Sequence, residues 1–362
     1  MKLFEFEIIV VALMFVFSSE SPAQVFSADS TISVSGLVDA YYVLDLDQPV
    51  SNNRPSFLYN YTRTNEVTLN LALIRVRYAD NNVRGALAFM TGTYAESNLA
   101  AEPSIWRNVF EANAGIRLSK SQNLWMDAGI YPSHIGFESA VGKDNWTLTR
   151  SLAAENSPYY ESGARITYVT SDNVWTLCAH VLNGWQQIQR PGGYSGMSWG
   201  SQVTYQPNSS VSINSSTFIG NTKPDNVAQL RLFHNLYGIF ALSPSLSLIV
   251  GFDIGTEQSA DGGSNSTWYS PVSVLRYSID DSKFLAARGE YYQDKNGVII
   301  ATGTPNGFQV LGCSLDFDYA ITNHSVWRIE GKALQSKDPI FVKTTGVGIS
   351  NVSLTSSLSV FF

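Results

Sequence analysis

Apolar residues occupy every second position along most of this chain, and this period limits the possible folds more than any other feature. Apolar residues alternate with polar or small ones from Ile32 to Leu44, and again from Val352 to Phe362. A two-residue period places successive side chains on opposite faces of an extended backbone, so it indicates strands with one apolar and one polar face. The pattern predicts about sixteen strands, near 31–46, 65–78, 83–94, 110–119, 123–132, 159–170, 173–184, 196–206, 210–221, 229–242, 245–258, 267–279, 283–294, 307–319, 324–335 and 350–362.

The connections between these strands alternate between short and long along the whole chain. Short turns such as 79–82 and 171–172 separate long connections such as 47–64 and 133–158. Greek-key sandwiches mix their connection lengths, whereas outer-membrane barrels have short periplasmic turns and long extracellular loops. The sequence therefore predicts an all-β fold, a transmembrane antiparallel up-and-down β-barrel of about 16 strands in the bacterial outer membrane. If a weak segment were divided differently, the barrel would have about 14 or 18 strands.

Composition excludes several other classes of protein. Only 15% of the 362 residues are charged and 12% are aromatic, which excludes a disordered chain and a coiled coil. The net charge of −7 argues against nucleic-acid binding. Two cysteines exclude a disulfide scaffold and a four-cysteine zinc site. Cys178 and Cys313 fall on opposite phases of their strands, so we expect no disulfide between them.

The first residues predict an export signal ahead of a single domain. Lys2 precedes an apolar run over 8–17 that is too short to cross a bilayer as a helix, and small residues end at Ala23. This layout predicts a signal peptide at 1–23 and a single barrel domain at 24–362. Removal of the signal leaves a net charge of −5, because one Lys and three Glu are lost. That charge favours a mild cation preference, although arginines inside the barrel would act in the opposite direction.

Charged residues on the polar phase, and those in the longest connection, are candidates to line a pore. An arginine facing lipid at the bilayer midplane would cost about 2–4 kcal/mol, so we expect such residues to face the lumen. In general porins a long loop at the position of 133–158 folds inward, and rings of charge there tune selectivity. For any single residue the alternative is a solvated charge with no specific role. The candidates are Glu138, Lys143, Asp144, Arg150, Glu155, Glu161, Arg165, Arg84, Arg288, Glu290, Arg328 and Glu330, together with His134, Arg75 and Arg77.

Two further patterns are typical of outer-membrane barrels. Aromatic residues near predicted strand ends suggest the girdles that form at membrane interfaces; they are Trp125, Trp175, Trp268, Trp327, Tyr168, Tyr205, Tyr277 and Tyr291. The last predicted strand ends on Phe361 and Phe362, which resembles the targeting signature of barrels inserted by the outer-membrane assembly machinery. We therefore expect outer-membrane lipid and that machinery, through the strand ending at Phe362, as partners.

Several short motifs resemble the OmpL-like β-barrel porin family. They are the run Gly129–Glu138, then Asn145, Arg150–Ser151, Pro158–Gly163 and Asn183–Trp185, with Pro207 and Gly220 further along. The resemblance covers most of the mature chain and implies a porin of the Gram-negative outer membrane. It brings no catalytic residue to this chain.

Catalytic alternatives find little support in the sequence. The four histidines lack metal-ligand spacing, and Gly192–Gly196 has the wrong register for a nucleophile elbow. A barrel phospholipase would need a Ser–His pair on its outer wall, but His180 shares the polar phase of Cys178, which predicts an inward position. We expect no enzyme, no cofactor and no metal.

The sequence thus predicts a porin, a passive diffusion channel for small hydrophilic solutes or ions, with a water-filled lumen that the loop 133–158 narrows. Because sixteen-stranded porins are commonly trimers, a homo-trimer is a further expectation, though no residue determines it. One alternative is a plugged structural or adhesive barrel that acts through its extracellular loops; another is a secreted soluble β-protein. The modest loop lengths favour the channel over an adhesin.

Overall fold

The structure, a computed structural model, describes residues 31–259 and 262–362. The predicted signal peptide at 1–23 and the start of the predicted domain lie outside these residues. The strands are β1 (Thr31–Asp45), β2 (Val67–Ala79), β3 (Val83–Thr91), β4 (Val109–Arg117), β5 (Asn123–Pro132), β6 (Tyr160–Val169), β7 (Trp175–Leu182), β8 (Ser198–Asn208), β9 (Val211–Asn221), β10 (Leu230–Ala241), β11 (Leu246–Gln258), β12 (Asn265–Ser278), β13 (Lys283–Asp294), β14 (Phe308–Thr322), β15 (Ser325–Ser336), β16 (Phe341–Val342), β17 (Val347–Gly348) and β18 (Ser350–Phe361).

Sixteen of these strands form one closed antiparallel barrel, in which each strand pairs with its neighbours in the chain. The first and last strands close the ring, since β1 pairs with β18 from Leu37 opposite Phe361 to Asp45 opposite Ser353. The two remaining strands, β16 and β17, form a small separate sheet. The predicted sixteen-stranded barrel is confirmed, and closure leaves no unpaired sheet edge to face hydrocarbon.

Within the described ranges 31–259 and 262–362, helical structure is confined to the connections. Two short α-helices, α1 (Thr93–Asn98) and α2 (Leu152–Glu155), lie in the loops after β3 and β5. Single 3-10 turns occupy Trp106–Asn108, Gly142–Asp144 and Asp225–Val227. Among the described residues, no helix is both long enough and apolar enough to span a bilayer.

Connection lengths alternate around the barrel as the sequence predicts. The short connections range from the two-residue turn 209–210 to five-residue turns such as 118–122, and all join strands at one end of the barrel. The opposite end carries the long loops, of which 133–159 is the longest and 46–66 the next. This asymmetry is that of outer-membrane barrels, with turns on the periplasmic side and loops outside.

Burial alternates along each strand and separates an inner face from an outer one. On β18, Ser353 and Thr355 are buried, whereas Val352 and Leu354, which alternate with them, are exposed. Polar groups are buried and aliphatic groups exposed, which inverts the arrangement of a soluble protein. The exposed aliphatic side chains therefore form the lipid-facing wall, and the buried polar ones face the interior.

Strand β2 changes the chemistry of its inward face halfway along. Its upper inward residues, Leu71 and Leu73, are buried in an apolar cluster with Tyr94 of α1. Lower on the strand Arg75 is buried inward and Ile74 is exposed outward. Leu71, Leu73 and Arg75 share one phase, so the inward face changes from apolar to charged without a change of phase. Arg75 therefore faces the interior, as predicted.

The aromatic girdle is confirmed on the outer wall near the short turns but not for every predicted member. Trp175, Tyr277 and Trp327 are exposed on the outer face. Trp125 and Trp268 were predicted in the girdle, but both are buried on the inward phase of their strands. Proximity to a strand end does not determine the face; the position in the two-residue period does.

Candidate functional site

The inner face of three neighbouring strands carries four of the predicted interior charges together with three further charged residues. We call this group the β13–β15 wall; its members are Arg288 and Glu290 on β13, Asp316 and Asp318 on β14, and Arg328, Glu330 and Lys332 on β15. All seven are buried. The register places Asp316 opposite Glu330 and Asp318 opposite Arg328, so acids and bases form one continuous network.

Arg288 fastens the loop 133–159 to this wall. Its Nη1 donates to the Thr147 hydroxyl at 2.7 Å and to the Thr149 carbonyl at 2.5 Å. Its Nη2 lies 2.9 Å from Glu330 Oε1. A single guanidinium thus binds both a carboxylate of the wall and the backbone of the loop, in the fixed fork that arginine provides.

Arg328 holds an earlier part of the same loop. It pairs with Asp318 and donates from Nη1 to the Gly142 carbonyl at 2.6 Å. Its Nη2 donates to the Asn145 carbonyl at 3.1 Å. Lys332 repeats the pattern further up the wall, with Nζ 3.1 Å from the Arg150 carbonyl.

The carboxylates of the wall accept hydrogen bonds from the loop backbone. Asp316 accepts from the amide of Leu148 at 2.9 Å, and Glu290 accepts from the amide of Leu152 at 2.5 Å. The Thr149 amide donates to Glu330. Buried backbone groups need partners, and in this irregular loop the wall supplies them.

Within the loop, three of the predicted charged residues are buried and pair locally. Glu138 accepts from the Ser151 amide at 3.1 Å and lies 3.8 Å from Arg288. Burial raises the pKa of the Glu138 carboxyl above its ordinary value. Arg150 pairs with Glu155 at 3.1 Å. The Arg150 guanidinium also lies 3.2 Å from the centre of the Tyr159 ring.

Lys143 and Asp144 differ from the other loop charges because they are partly exposed. They form an ion pair with each other at 2.5 Å. The Lys143 ammonium also lies 4.7 Å from the centre of the ring of Phe361, the last residue of β18. Residues in the middle of the loop thus contact the short-turn end of the barrel.

The base of the loop is attached to β6, β7 and β9 through His134. Its Nε2 lies 2.9 Å from the Thr217 carbonyl, and its Nδ1 lies 3.5 Å from Glu161. The His134 and His180 rings stack with centres 4.2 Å apart. Gly200 makes room, because a Cβ there would lie 2.8 Å from His134 Nε2.

The remaining predicted arginines lie on the other side of the lumen. Arg84 on β3 and Arg165 on β6 both pair with Asp127 on β5, at 2.6 and 3.1 Å. Arg75 and Arg77 on β2 both contact Glu111 on β4. We call these six residues the arginine strip. Its arginines are separated from those of the β13–β15 wall and contact no residue of the loop 133–159 through the ion pairs described.

Four carboxylates and one lysine of these two groups were missed by the sequence analysis. Asp316, Asp318 and Lys332 share the phase of the predicted Arg328 and Glu330, so the alternation contained the signal. Asp127 and Glu111 likewise fall on the inward phase of β5 and β4. The role of the loop 46–66 was also missed.

That first loop enters the interior as well. The Tyr61 hydroxyl donates to Asp39 at 3.0 Å, and Arg54 donates to Ser353 at 3.1 Å. The Tyr59 amide donates to Glu155, which joins the two longest loops. Higher in the barrel, Phe57 packs in an apolar cluster with inward residues such as Phe308.

A Ser–His pair does lie on the outer wall, at residues that the sequence analysis did not consider. Ser215 Oγ and His234 Nε2 are 2.9 Å apart, and Ser201 and Thr217 bond beside them at 2.7 Å. No hydrogen bond from the described residues reaches His234 Nδ1, so this pair lacks the orienting group of a catalytic triad. Mutual hydrogen bonding reduces the cost of placing these polar groups on a lipid-facing surface.

Neither the cysteines nor a metal group suggests other chemistry in the described residues. Cys178 is buried on the inner face, Cys313 is exposed on the outer face, and both are free. His180 is buried on the same inward phase as Cys178, as predicted. Within 31–259 and 262–362, no three His, Cys, Asp or Glu side chains form a group that could hold a metal ion.

Comparison with known proteins agrees with this architecture. A family model described as "Putative beta-barrel porin-2, OmpL-like" matches residues 31–362. No curated protein matches the sequence.

Among solved structures, an anion-selective porin from Comamonas acidovorans is similar with a TM-score of 0.62 at 10% identity, over 92% of this chain and 100% of that one. OmpF of Salmonella typhi in complex with daunomycin has a TM-score of 0.61 at 10% identity, over 91% and 97%. The outer membrane channel DcaP of Acinetobacter baumannii is similar with a TM-score of 0.59 at 12% identity, over 92% of this chain and 99% of that one. At such identities the likeness shows the fold alone.

Proposed function

Because this chain belongs to the OmpL-like family of β-barrel porins, we propose that it is a passive diffusion channel for small hydrophilic solutes or ions in the bacterial outer membrane. A barrel of sixteen strands encloses more volume than its own side chains fill, so it can hold an aqueous lumen. The mechanism is diffusion through that water, with selectivity set by the charges that line the path.

The observation that best supports a channel is the partial solvent exposure of inward charges on one side of the barrel. Arg84 and Arg165 face the interior and keep part of their side chains in contact with water. A barrel with a filled interior would bury such groups completely or exclude them, because desolvating a charge is costly.

We also propose that the loop 133–158 narrows this lumen. Its support is the set of bonds that Arg288, Arg328 and Lys332 make to loop carbonyls, together with those that wall carboxylates accept from loop amides. Such bonds hold a loop against one side of the interior and leave the path to the other side.

A plugged structural or adhesive barrel is the second candidate, and one observation favours it. An apolar cluster fills part of the loop end, where Phe57 and Phe341 from two loops pack on inward residues such as Phe308. If this cluster extends across the whole cross-section, solutes cannot pass and the outer loops carry the function.

Planar-bilayer recording of the refolded mature protein, residues 24–362, separates the two candidates. A channel gives stable conductance steps whose size scales with the conductivity of the electrolyte. Continued absence of steps, from protein whose insertion is shown by heat-shifted mobility in SDS gels, would refute the channel and support the plugged barrel.

The remaining partners are part of the same proposal. The exposed aliphatic residues of the outer wall suit outer-membrane lipid. We propose that the assembly machinery inserts the barrel through β18, whose outward face carries Val352, Leu354, Leu358 and Val360. We also propose a homo-trimer, which the mass of the purified protein–detergent complex would test.

A further inference from the structure

We infer that the solute path runs along the arginine strip of β2–β6 and that the channel therefore prefers anions to cations. The ligand class is small anions that carry chloride, carboxylate or phosphate charge. This inference deepens the proposed function and rests on it.

The strip is built around one row of residues that are directly opposite each other on neighbouring strands. Arg84 pairs with Gly115, Gly115 with Asp127, and Asp127 with Arg165. Gly115 is required at the centre, because a Cβ there would lie 2.2 Å from Asp127 Oδ1 and 3.0 Å from Arg84 Cγ. The missing side chain lets Arg84 reach across β4 to the carboxylate.

The carboxylate in this row is more deeply buried than the two guanidiniums that bind it. The exposed fraction is 1% for the Asp127 side chain, compared with 16% for Arg84 and 17% for Arg165. Water, or a passing solute, therefore meets the cationic groups and not the anionic one.

Both guanidiniums keep unused hydrogen-bond donors. Arg84 donates to Asp127 from Nε and Nη2, and Arg165 donates from Nε alone. The Nη1 group of Arg84 and both terminal nitrogens of Arg165 make no hydrogen bond to the described residues. Guanidinium groups bind carboxylate and phosphate oxygens through such donors.

Aromatic rings hold these guanidiniums in place. Arg84 lies 4.5 Å from the centre of the Trp125 ring, and Arg165 lies 4.5 Å from that of Tyr131. Contact with a ring face stabilises a cation and limits its rotamers. This contact also explains why Trp125 is inside the barrel.

A second group of the same composition lies beside the first. Arg75 and Arg77 flank Glu111, with nitrogen–oxygen distances of 3.1 and 3.8 Å. Arg77 is 38% exposed, whereas Glu111 is 8% exposed. This group repeats the arrangement of the first one, because two arginines contact one carboxylate and an arginine is more exposed than that carboxylate.

The six residues of the strip sum to a formal charge of +2, from four arginines and two carboxylates, and the row of Arg84, Asp127 and Arg165 alone contributes +1. Two other inward carboxylates near the strip, on β1 and β6, are buried by neighbouring side chains. Asp39 on β1 accepts from Tyr61 and Asn70, and Glu161 on β6 is fully buried beside His134. The β13–β15 wall is covered by the loop, so its acids do not line the exposed path.

The test is the reversal potential of the mature channel between two KCl concentrations. We expect the sign for chloride preference, despite the net negative charge of the chain. Fixed charges in a pore are screened by salt, with a Debye length of about 10 Å at 0.1 M and about 3 Å at 1 M. The preference should therefore be larger when the two solutions are dilute.

Two variants that should shift the permeability ratio in opposite directions test whether the arginine strip sets the anion preference. Arg77→Gln combined with Arg165→Gln should lower the chloride-to-potassium permeability ratio several-fold, because it leaves the strip neutral. Asp127→Asn should raise the ratio, because it removes an anion and keeps both arginines. Lys120→Gln, in the exposed turn 118–122, removes one positive charge outside the lumen and should leave the ratio unchanged.

The outcomes are separable from the failure of the channel itself. No conductance from inserted wild-type protein refutes the proposed function. Stable conductance with cation preference, or a permeability ratio that neither variant changes, refutes the anion path alone. If the double Gln variant does not fold, the increase expected for Asp127→Asn still decides the question.

Discussion

The two sides of the barrel interior use the same residue types for different purposes. On the β13–β15 wall, Arg288 and Arg328 are buried, and their guanidiniums donate hydrogen bonds to loop carbonyls and wall carboxylates. On the arginine strip, Arg84 and Arg165 also bind a carboxylate, but they remain partly exposed and keep free donors. One side anchors a loop, and the other keeps partly exposed guanidiniums, along which we propose that solutes pass.

This difference shows that an inward charge acquires its role from what covers it. Strand alternation places arginine in the lumen in both cases, because lipid excludes it from the other face. The loop 133–159 then covers the β13–β15 wall, and its backbone forms hydrogen bonds with the charged groups of that wall. The predictions below test this division, beginning with the largest expected effect.

Deletion of 138–155 should abolish the distinction between the two sides. The wall would become exposed, so conductance should rise several-fold. Anion preference should fall, because the wall has four carboxylates against three cations. Single-channel recording measures both quantities. An unchanged conductance from folded protein would mean that this loop does not narrow the path.

Removal of one buried cation of the wall should destabilise the protein much more than removal of a strip cation. Arg328→Met leaves Asp318 and two loop carbonyls without a partner, and breaking a buried pair in this way costs about 3–5 kcal/mol. Arg77→Met removes a partly exposed ion pair with Glu111 and should cost about 1 kcal/mol or less. Denaturant unfolding in lipid vesicles compares the two; equal losses would contradict the division.

Glu138 should make the attachment of the loop depend on pH. Because burial raises its pKa, the folded protein binds this proton more tightly than the unfolded chain does. Its contribution to stability is therefore fully present below the ordinary carboxyl pKa and is lost as the pH rises through the raised value. Glu138→Gln should reduce the difference between unfolding midpoints at acidic and neutral pH. The same difference in both proteins would refute this role.

The two free cysteines report the faces of the barrel without altering function. A membrane-soluble maleimide should label Cys313 on the outer wall and not Cys178, which is buried inside. Mass spectrometry after labelling in vesicles identifies the modified residue. Conductance should be unchanged, since Cys313 faces lipid. Labelling of Cys178 in preference to Cys313 would show that the assigned faces are reversed.

Most of the barrel could be predicted from the sequence. The predicted strands 123–132, 210–221 and 283–294 agree with the observed bounds to within one residue, and the inward position of Arg288 and Glu290 followed from their phase. These features are local: a two-residue period in hydrophobicity is set by which face meets lipid, and it can be read from a single segment.

The covering of the interior could not be predicted in the same way. Bonds such as Leu148 to Asp316 and Tyr61 to Asp39 join residues that are far apart in the chain, and no periodicity connects them. The inward course of the loop 46–66 and the burial of Trp268 depend on the same distant contacts.

The sequence by itself thus determined the barrel, the approximate number of its strands and the face of most strand residues, because alternation is a local response to lipid and water. Only the tertiary structure decided which inward arginines are covered by a loop and which remain exposed. The loops cross the lumen, and their positions depend on shape and hydrogen-bond partners that separate strands bring together. These contacts bury the arginines of the β13–β15 wall and leave Arg84 and Arg165 of the arginine strip partly exposed.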